Sequence, residues 1–272
     1  MKEWSLKRSR LLTKLLVNAF ATKDRVFEPF ERRRLGGARR KQLNLNAFES
    51  RVTSQNGEDG ILREIFSRIP HRRYFVEIGV EDGSQCNSAL LVSDYHWHGL
   101  VVEGDDRYAD ALKARFRDRQ VSVAHAYVDR GNIVEIFREH DVPSEFDLLS
   151  IDIDGNDYFL WEATKAYHPS VVVIEYNAFF GNERSCTIAY DKTHRYRADT
   201  YFGASLAALA KLGNGLGYEL IGTNRTGTNA FFIRNELVDI CGFRPKLVRE
   251  AFHAKPLLGQ LLPKGTGPLV EI

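Results

Sequence analysis

The chain has 272 residues, of which 43% are hydrophobic and 27% charged, and its formal net charge is +2. This composition is typical of a globular domain with a sizeable core. No uninterrupted apolar stretch is long enough to cross a bilayer, which excludes a membrane-spanning helix. Cys86, Cys186 and Cys241 lie far apart without a C-x-x-C pair. Their spacing excludes a zinc site or a disulfide scaffold and favours a reducing, cytoplasmic compartment.

Charge is unevenly distributed along the chain. Residues 1–41 hold 13 Lys or Arg against 4 Asp or Glu, whereas the rest holds 25 against 32. The apolar residues of this segment recur near helical spacing, which predicts an amphipathic helix. Such a helix either packs on its own domain or touches an anionic membrane at its inner face. We therefore assign residues 1–49 to a basic N-terminal arm with a linker, and no motif in it favours nucleic-acid binding.

A capped helix is predicted at the start of the folded body. Residues 54–60 are polar and glycine-rich, and the apolar residues that follow have helical spacing until Pro70. Asn56 is the predicted N-cap of this helix. Two interpretations remain open: the helix simply packs on a sheet, or it places Gln55, Glu58 and Asp59 over a bound cofactor.

The stretch of residues 74–83 predicts a buried strand followed by a turn that glycines mark. A helix is predicted next, over residues 84–94. Glycine lets the backbone bend sharply and approach a ligand closely, so Glu77, Gly79 and Gly83 are candidate cofactor contacts. A dinucleotide site needs G-x-G-x-x-G, whereas this turn carries two acids that repel a pyrophosphate and favour a cationic ligand. The alternative is an ordinary turn between a strand and a helix.

Apolar runs and helical segments then alternate along the chain, which is typical of an α/β fold with a parallel sheet. Strands are predicted at residues 98–106, 121–128, 146–154 and 171–177, and helices at residues 108–119, 132–140, 158–167 and 203–211. Residues 218–222 and 229–234 flank a Thr/Asn/Gly turn, which predicts an antiparallel hairpin. Residues 178–202 are polar and aromatic without clear secondary structure, which favours a lid or substrate-binding insertion. Residues 236–272 are a C-terminal tail that wraps the surface or frays.

Polar or acidic side chains occur at the end of every predicted parallel strand. Ligands bind at the carboxyl ends of strands in an open α/β sheet, so these side chains are expected to converge on one site. Glu103 follows the Gly turn by about 20 residues, where an acid accepts the ribose hydroxyls of NAD or S-adenosylmethionine (SAM) alike. Asp129 closes the third strand and is placed to accept a hydrogen bond from an adenine amino group.

Five segments, in this order, resemble the FkbM-like family of class I SAM-dependent methyltransferases over about residues 50–235: Ser54-Gln55-x-Gly57-Glu58-Asp59, Phe75-Val76-Glu77-Ile78-Gly79, Glu103, Ile151-Asp152-Ile153-Asp154-Gly155-Asn156-Asp157 and Asn229-Ala230-Phe231-Phe232. The resemblance implies a Rossmann-like α/β fold with a mostly parallel seven-stranded sheet, an antiparallel last strand and helices on both faces. It also implies methyl transfer from SAM to a hydroxyl, often on a sugar or polyketide-type acceptor. The insertion at 178–202 and the basic arm depart from the family's pattern and leave the acceptor open.

An alcohol acceptor needs a base or a metal ion to make its oxygen nucleophilic. Asp152 and Asp154 alternate along the fourth strand and so point to the same face, where one of them can serve as the base. His194, in the insertion, is a further catalytic candidate. Alternatively, Asp154, Glu175 and Asn177 form an all-oxygen Mg²⁺ site, an arrangement that resembles the catechol-type methyltransferases.

The first interpretation is therefore a methyltransferase that acts on a small-molecule or glycan acceptor, either saccharide-like or lipid-linked. An NAD-type oxidoreductase is disfavoured because the turn lacks a pyrophosphate cradle and no Tyr-x-x-x-Lys pair follows it. A non-catalytic adapter would use the basic arm to reach a membrane or a partner. The intact row of acids argues against this third interpretation. The sequence leaves the oligomeric state open.

Overall fold

The computed structural model describes residues 43–255 and 262–272 of the chain. The predicted amphipathic helix of residues 1–41 lies outside the described residues, so its role stays a prediction. None of the helices in the described ranges combines the length and the apolar character needed to span a bilayer.

The described residues contain nine strands, most of which begin close to their predicted starts. They are β1 (Tyr74–Ile78), β2 (His98–Glu103), β3 (Val121–His125), β4 (Leu148–Ile151), β5 (Val171–Glu175), β6 (Cys186–Ile188), β7 (Tyr218–Thr223), β8 (Asn229–Arg234) and β9 (Leu269–Glu271). Seven of them form one sheet in the order β3-β2-β1-β4-β5-β8-β7, and β6 pairs with β9 in a separate small sheet.

Strand direction in the large sheet confirms the predicted fold class. The pairs from β3 to β5 are all parallel. β8 runs antiparallel to both β5 and β7, which confirms the predicted hairpin and the antiparallel last strand. The strand order reverses between β1 and β4, and the crevice at such a reversal is where open α/β sheets bind ligands.

Helices cover both faces of the large sheet. They are α1 (Glu58–Phe66), α2 (Ala89–Tyr95), α3 (Asp106–Phe116), α4 (Ile133–Glu139), α5 (Asp157–Ala163), α6 (Leu206–Gly215), α7 (Val238–Cys241) and α8 (Val248–Ala251). Side chains of a strand alternate between the faces. Val76 of β1 therefore packs with Phe137 of α4 and Leu160 of α5, while the adjacent Phe75 packs in the cluster that holds Ile61 of α1 and Leu112 of α3.

Two helices begin later than the sequence suggested. α1 starts at Glu58 after Gly57, whose φ is 90° and which makes no side-chain capping bond, so the prediction of Asn56 as N-cap was wrong. α2 starts at Ala89 and not near residue 84. The loop before it is held in another conformation because two of its backbone N–H groups donate to Glu77 on the neighbouring strand.

The insertion at residues 178–202 is more ordered than predicted. It contains a 3-10 helix at Ala178–Phe180 and the strand β6. β6 pairs antiparallel with β9 in the C-terminal tail, with Cys186 opposite Glu271. The expectation that this stretch lacks secondary structure was wrong, because its partner lies far away in the sequence, where local periodicity gives no signal.

Gly79 must be glycine for two independent reasons. Its φ is +81°, and a Cβ built on it would lie 1.7 Å from the carbonyl oxygen of Asp152 on the neighbouring strand end. We expect Gly79→Ala to lower the free energy of unfolding by more than about 3 kcal/mol, because the strand ends must separate to admit the methyl group. Urea denaturation measures this change.

Gly215 provides the matched control, since a Cβ at this position meets nothing within 4 Å. Gly215→Ala is expected to change the free energy of unfolding by less than about 1 kcal/mol. A Gly79→Ala protein as stable as the Gly215→Ala protein would contradict the close approach of the two strand ends.

Candidate functional site

A cavity of about 650 Å³ opens at the carboxyl edge of the sheet, above the point where the strand order reverses. Its volume is in the usual range for a small-molecule or cofactor site. The ends of β1 to β5 form its floor, and residues 192–196 of the insertion form part of its wall. Seven of the predicted site residues line it: Gln55, Gly79, Glu103, Asp152, Asp154, Glu175 and His194.

Glu77 fastens the loop after β1 and lies beside this cavity. It is only 3% exposed. Its carboxylate accepts hydrogen bonds from the backbone N–H groups of Asn87 at 2.7 Å and Ser88 at 2.8 Å. Burial raises the pKa of Glu77, and the hydrogen bonds from Ser88 and Asn87 oppose that rise. The donors that a buried acid requires are thus supplied by the protein's own backbone.

Three other predicted contacts lie outside the walls of the cavity in the described part of the chain. The carboxylate of Asp59 accepts from the backbone N–H groups of residues 52–54 and so holds the segment before α1. The Oδ1 atom of Asp129 accepts from the N–H groups of Gly131 and Asn132 and closes a local turn. Gly83 packs beneath α3. The structure therefore assigns these three residues to loop conformation, which corrects their predicted place in the cavity wall.

Glu103 ends β2 and faces the cavity with spare hydrogen-bonding capacity. Its Oε2 atom accepts from the N–H of Glu81 and its Oε1 atom from the N–H of Asp105, both at 2.8 Å. Each carboxylate oxygen retains a second lone pair for a ligand hydroxyl. Glu103 thus joins the turn after β1 to the end of β2.

An aromatic platform lies next to Glu103. The ring of Tyr127 packs directly on Gly104, where an added Cβ would lie 2.4 Å from it. Tyr127 is 54% exposed, and the guanidinium carbon of Arg195 lies 4.0 Å from the centre of its ring. Through this cation–π contact the insertion reaches across to the end of β3. The sequence analysis singled out neither of these two side chains.

The ends of β4 and β5 bring together three carboxylates, Asp152, Asp154 and Glu175, with one oxygen atom of each within 4.8 Å of the others. Lys255 Nζ lies 3.8 Å from Glu175 Oε1 and also donates to the hydroxyl of Thr228. The other oxygen, Glu175 Oε2, is buried and has no hydrogen-bond partner among the described residues.

Burial and mutual repulsion dominate the electrostatics of these three acids. They raise the pKa of Asp152 and of Glu175 well above the ordinary values, and burial raises the pKa of Asp154 as well. Such carboxylates hold protons more tightly than free ones do. They are suited either to accept a proton near neutral pH or to exchange protons for a bound cation.

Asn177 does not belong to this cluster. Its side-chain amide donates to the carbonyl oxygens of Thr200 and Phe202, and its Oδ1 atom accepts from the N–H of Phe179. The amide therefore fixes the chain after β5. Asp152 takes the place that the sequence analysis gave to Asn177 in the predicted metal site.

The turn after β4 presents Asp154 and His194 together. Asp154 has a φ of 52°, an unusual conformation for a residue with a side chain. The turn is held by Asp157, whose two carboxylate oxygens accept from the N–H groups of Ile153 and Gly155, each at 2.9 Å. His194 packs on Gly155, and its Nε2 atom lies 3.2 Å from the carbonyl oxygen of Asp154.

No protein-family model and no curated protein matches the sequence. Among solved structures, the chain is similar to a TehB-like SAM-dependent methyltransferase from Corynebacterium glutamicum, with 15% identity and a TM-score of 0.39 over 64% of this chain and 86% of that chain. It is also similar to the N-terminal domain of EvdMO1 with S-adenosylhomocysteine (SAH) bound, with 12% identity and a TM-score of 0.42 over 66% and 80%. An O-methyltransferase from Bacillus cereus in complex with SAH has 14% identity and a TM-score of 0.39 over 59% and 72%.

Similarity at this level carries no conclusion on the activity of this chain or on the role of any of its residues. The Rossmann-like methyltransferase fold class follows from the sheet order and strand directions. The resemblance to the FkbM-like family stays a prediction.

Asp157 makes the stability of the protein dependent on pH. Burial raises its pKa from 3.8 to about 6. Its contribution to stability is therefore fully present below about pH 4 and is lost as the pH rises through 6. Asp157→Asn removes this titration, so the stability of the wild-type protein relative to this variant should fall by about 3 kcal/mol between pH 4 and pH 7.

Urea denaturation at several pH values measures this difference. The charge of Asp157 also raises the pKa of Asp152 and of Glu175, so the loss of this interaction is part of the difference between the two proteins. A difference in stability that stays constant across this pH interval would contradict the raised pKa of Asp157.

Proposed function

We propose that this chain is a SAM-dependent methyltransferase that methylates a hydroxyl of a saccharide-like or lipid-linked acceptor. The observation that carries the proposal is the place of Glu77. Its carboxylate accepts hydrogen bonds from the N–H groups of Asn87 and Ser88, which lie immediately before α2, so these groups are not available to a phosphate. In a dinucleotide-binding fold, N–H groups at this place hold the pyrophosphate. The site therefore favours an adenosine ligand without phosphate.

The acids of the cavity support a ligand that carries positive charge. Glu81, Glu103 and Asp105 line the part of the cavity formed by β1 and β2. Carboxylates repel a pyrophosphate and attract a cation. This charge argues against the NAD-type oxidoreductase and is compatible with SAM, which carries a sulfonium and an α-ammonium group.

The residues around β1 and β2 fit an adenosine group. The free lone pairs of Glu103 are available to the ribose hydroxyls, and the partly exposed Tyr127 ring with the Arg195 guanidinium stacked on it lies beside them. Gly79 leaves room for close approach at the end of β1. When bound, SAM supplies a methyl group that its sulfonium has activated.

The chain's task in the reaction is to orient the acceptor and to take up its hydroxyl proton. Asp152 and Asp154 suit this second role because their raised pKa values make them effective proton acceptors near neutral pH. The Nε2–H group of His194 donates to the carbonyl oxygen of Asp154, which leaves the Nδ1 atom of this ring as an alternative proton acceptor. Lys192, His194, Arg195 and Tyr196 line the cavity and provide a wall that shields the reacting groups from water.

A divalent cation is the alternative means of activating the hydroxyl. The residues fit a hard cation, because Asp152, Asp154 and Glu175 offer only oxygen atoms and Glu175 Oε2 has no partner in the described part of the chain. These three residues would hold Mg²⁺, which would supply a Lewis acid for the acceptor oxygen.

Calorimetric titration of the full chain with SAH and with NAD⁺ tests the cofactor class. We expect micromolar binding of SAH and no binding of NAD⁺. Glu103→Ala should weaken SAH binding by about tenfold or more, because a charge-assisted contact to the ribose is lost. Asp110→Ala, which removes an exposed acid of α3, is the control and should leave the affinity unchanged. A folded wild-type chain that binds no SAH would contradict the proposal.

Titration with MgCl₂ tests whether a divalent cation or a base of the protein activates the acceptor hydroxyl. If the cation is used, binding should release protons from the acids with raised pKa, so the measured heat should depend on the ionisation enthalpy of the buffer. Asp154→Asn should abolish that heat, while Asp129→Asn, an acid outside the cluster, should preserve it. An absence of heat with the wild-type chain would leave the protein base as the activating group.

A further inference from the structure

The insertion contributes a positively charged wall to the large cavity. Lys192 and Arg195, the basic pair, line the cavity together with His194, whereas the charged residues of the strand ends that line it are mostly acids. Opposite charges on different walls give one cavity two environments, of which one suits a cation and the other an anion. A cationic cofactor accounts for the acidic environment only, so the basic wall calls for another ligand group.

Hydrogen bonds hold the turn that carries the basic pair. Asp191 Oδ1 accepts from the N–H of Thr193 at 2.8 Å and from its hydroxyl at 2.7 Å. These bonds, and after them the charges of His194 and Arg195, lower the pKa of Asp191. The side-chain amide of Asn156 donates to the carbonyl oxygen of Asp191 at 2.8 Å and so attaches the turn to the start of α5. The basic pair therefore has a defined place at the cavity.

The guanidinium of Arg195 is oriented by an aromatic ring. Its carbon atom lies 4.0 Å from the centre of the Tyr127 ring, so this ring covers one face of the group. Stacking leaves the N–H bonds, which lie in the plane of a guanidinium, open to acceptors. One nitrogen, Nη1, donates to the carbonyl oxygen of His194 at 2.7 Å. The remaining N–H groups can bind an oxyanion through two parallel hydrogen bonds.

The basic pair differs from the other cations of the cavity wall. Arg107 forms an ion pair with Asp105. Lys255 Nζ lies 3.8 Å from Glu175 Oε1. In the described part of the chain, neither member of the basic pair forms an ion pair with a carboxylate. Both side chains are exposed, so an anion that enters the cavity can reach them.

The basic pair adjoins the groups that are proposed to take up the hydroxyl proton. His194 stands between its two members in the sequence, and its Nε2–H group donates to the carbonyl oxygen of Asp154 at 3.2 Å. An acceptor whose hydroxyl lies at Asp154 therefore has the basic wall beside it. An anionic substituent on that acceptor would gain charge-assisted hydrogen bonds that a neutral acceptor lacks.

We propose that the acceptor carries an anionic group, a phosphate or a carboxylate, and that Lys192 and Arg195 bind it. The inference rests on the proposed function and narrows its acceptor to the anionic members of the saccharide-like or lipid-linked class. Lys192 and Arg195 then determine specificity, since they contact the acceptor away from the reacting hydroxyl. Tyr127 is a positioning residue, because its ring orients the guanidinium of Arg195.

NMR titration of the ¹⁵N-labelled full chain, with and without saturating SAH, measures anion binding at the basic pair. Inorganic phosphate is the probe for a phosphate group, and acetate is the probe for a carboxylate. We expect saturable shifts of the amide signals of residues 192–195 and a dissociation constant in the millimolar range, which rises with ionic strength. The anion with the lower dissociation constant identifies the group.

Charge-removing variants locate the binding. Lys192→Gln and Arg195→Gln should each raise the dissociation constant by about three- to tenfold, because each removes one charge-assisted contact. Arg197→Gln is the matched control, since Arg197 belongs to the same insertion but pairs with Asp199 and lies outside the cavity wall. Its dissociation constant should stay within about twofold of the wild-type value. Unchanged amide signals outside the insertion show that each variant is folded.

Two variants of Tyr127 test its positioning role. Tyr127→Leu removes the ring and should weaken anion binding, whereas Tyr127→Phe keeps the ring and should bind the anion as the wild type does. Equal binding by both variants would overturn the role of the ring.

The outcomes separate this inference from the proposed function. SAH binding without any shift at residues 192–195 overturns the anion subsite alone. An equal loss of anion binding in Arg197→Gln also overturns it, because net charge would then explain the effect. Anion binding at the basic pair in a chain that binds no SAH contradicts the proposed function and leaves the subsite without a role in methyl transfer.

Discussion

Buried carboxylates that accept backbone N–H groups hold the loops at the carboxyl edge of the sheet. Glu77 reaches from β1 to the loop before α2, and Asp157 reaches from the start of α5 back to the turn after β4. Each acid is costly to bury, and two charge-assisted hydrogen bonds offset part of that cost for each. The loops cannot move without breaking these bonds, so the cavity walls that they form are held in place before a ligand arrives.

The acids of the site differ from Glu77 and Asp157 in how far hydrogen-bond donors offset the free-energy cost of burying them. Glu77 and Asp157 each have two backbone donors, whereas Asp152, Asp154 and Glu175 lie together with Lys255 as the nearby positive charge that the structure records. Excess negative charge at low solvent exposure raises the free energy of the folded protein. Protons, a divalent cation or the positive charge of a ligand would each lower it. An acidic, partly desolvated cavity is therefore consistent with the positively charged ligand that we propose.

Much of this arrangement could be predicted from the sequence. Apolar runs located the parallel strands, and their carboxyl ends must meet, so Gly79, Glu103 and Asp154 were correctly expected at one edge. Asp129 and Asn177 were wrongly expected in the cavity because their short side chains accept from an N–H two residues later and close local turns. A polar residue at the end of a strand can accept a hydrogen bond within its own turn or face the cavity. The local sequence pattern does not distinguish these two arrangements.

Long-range contacts account for the other differences between the sequence-based predictions and the structure. Lys255 lies in a tail whose composition gives no sign of a site, yet it contacts Glu175. The late start of α2 depends on Glu77, ten residues before the first N–H that it binds. The reversed direction of β8 has the largest consequence: its first residue, Asn229, lies at the carboxyl edge of β5, and its last, Arg234, lies at the opposite edge. In the parallel orientation the cationic Arg234 would lie beside Glu175 and offset its charge. The antiparallel strand instead places a neutral amide there and preserves the negative charge that the proposed cationic ligand requires.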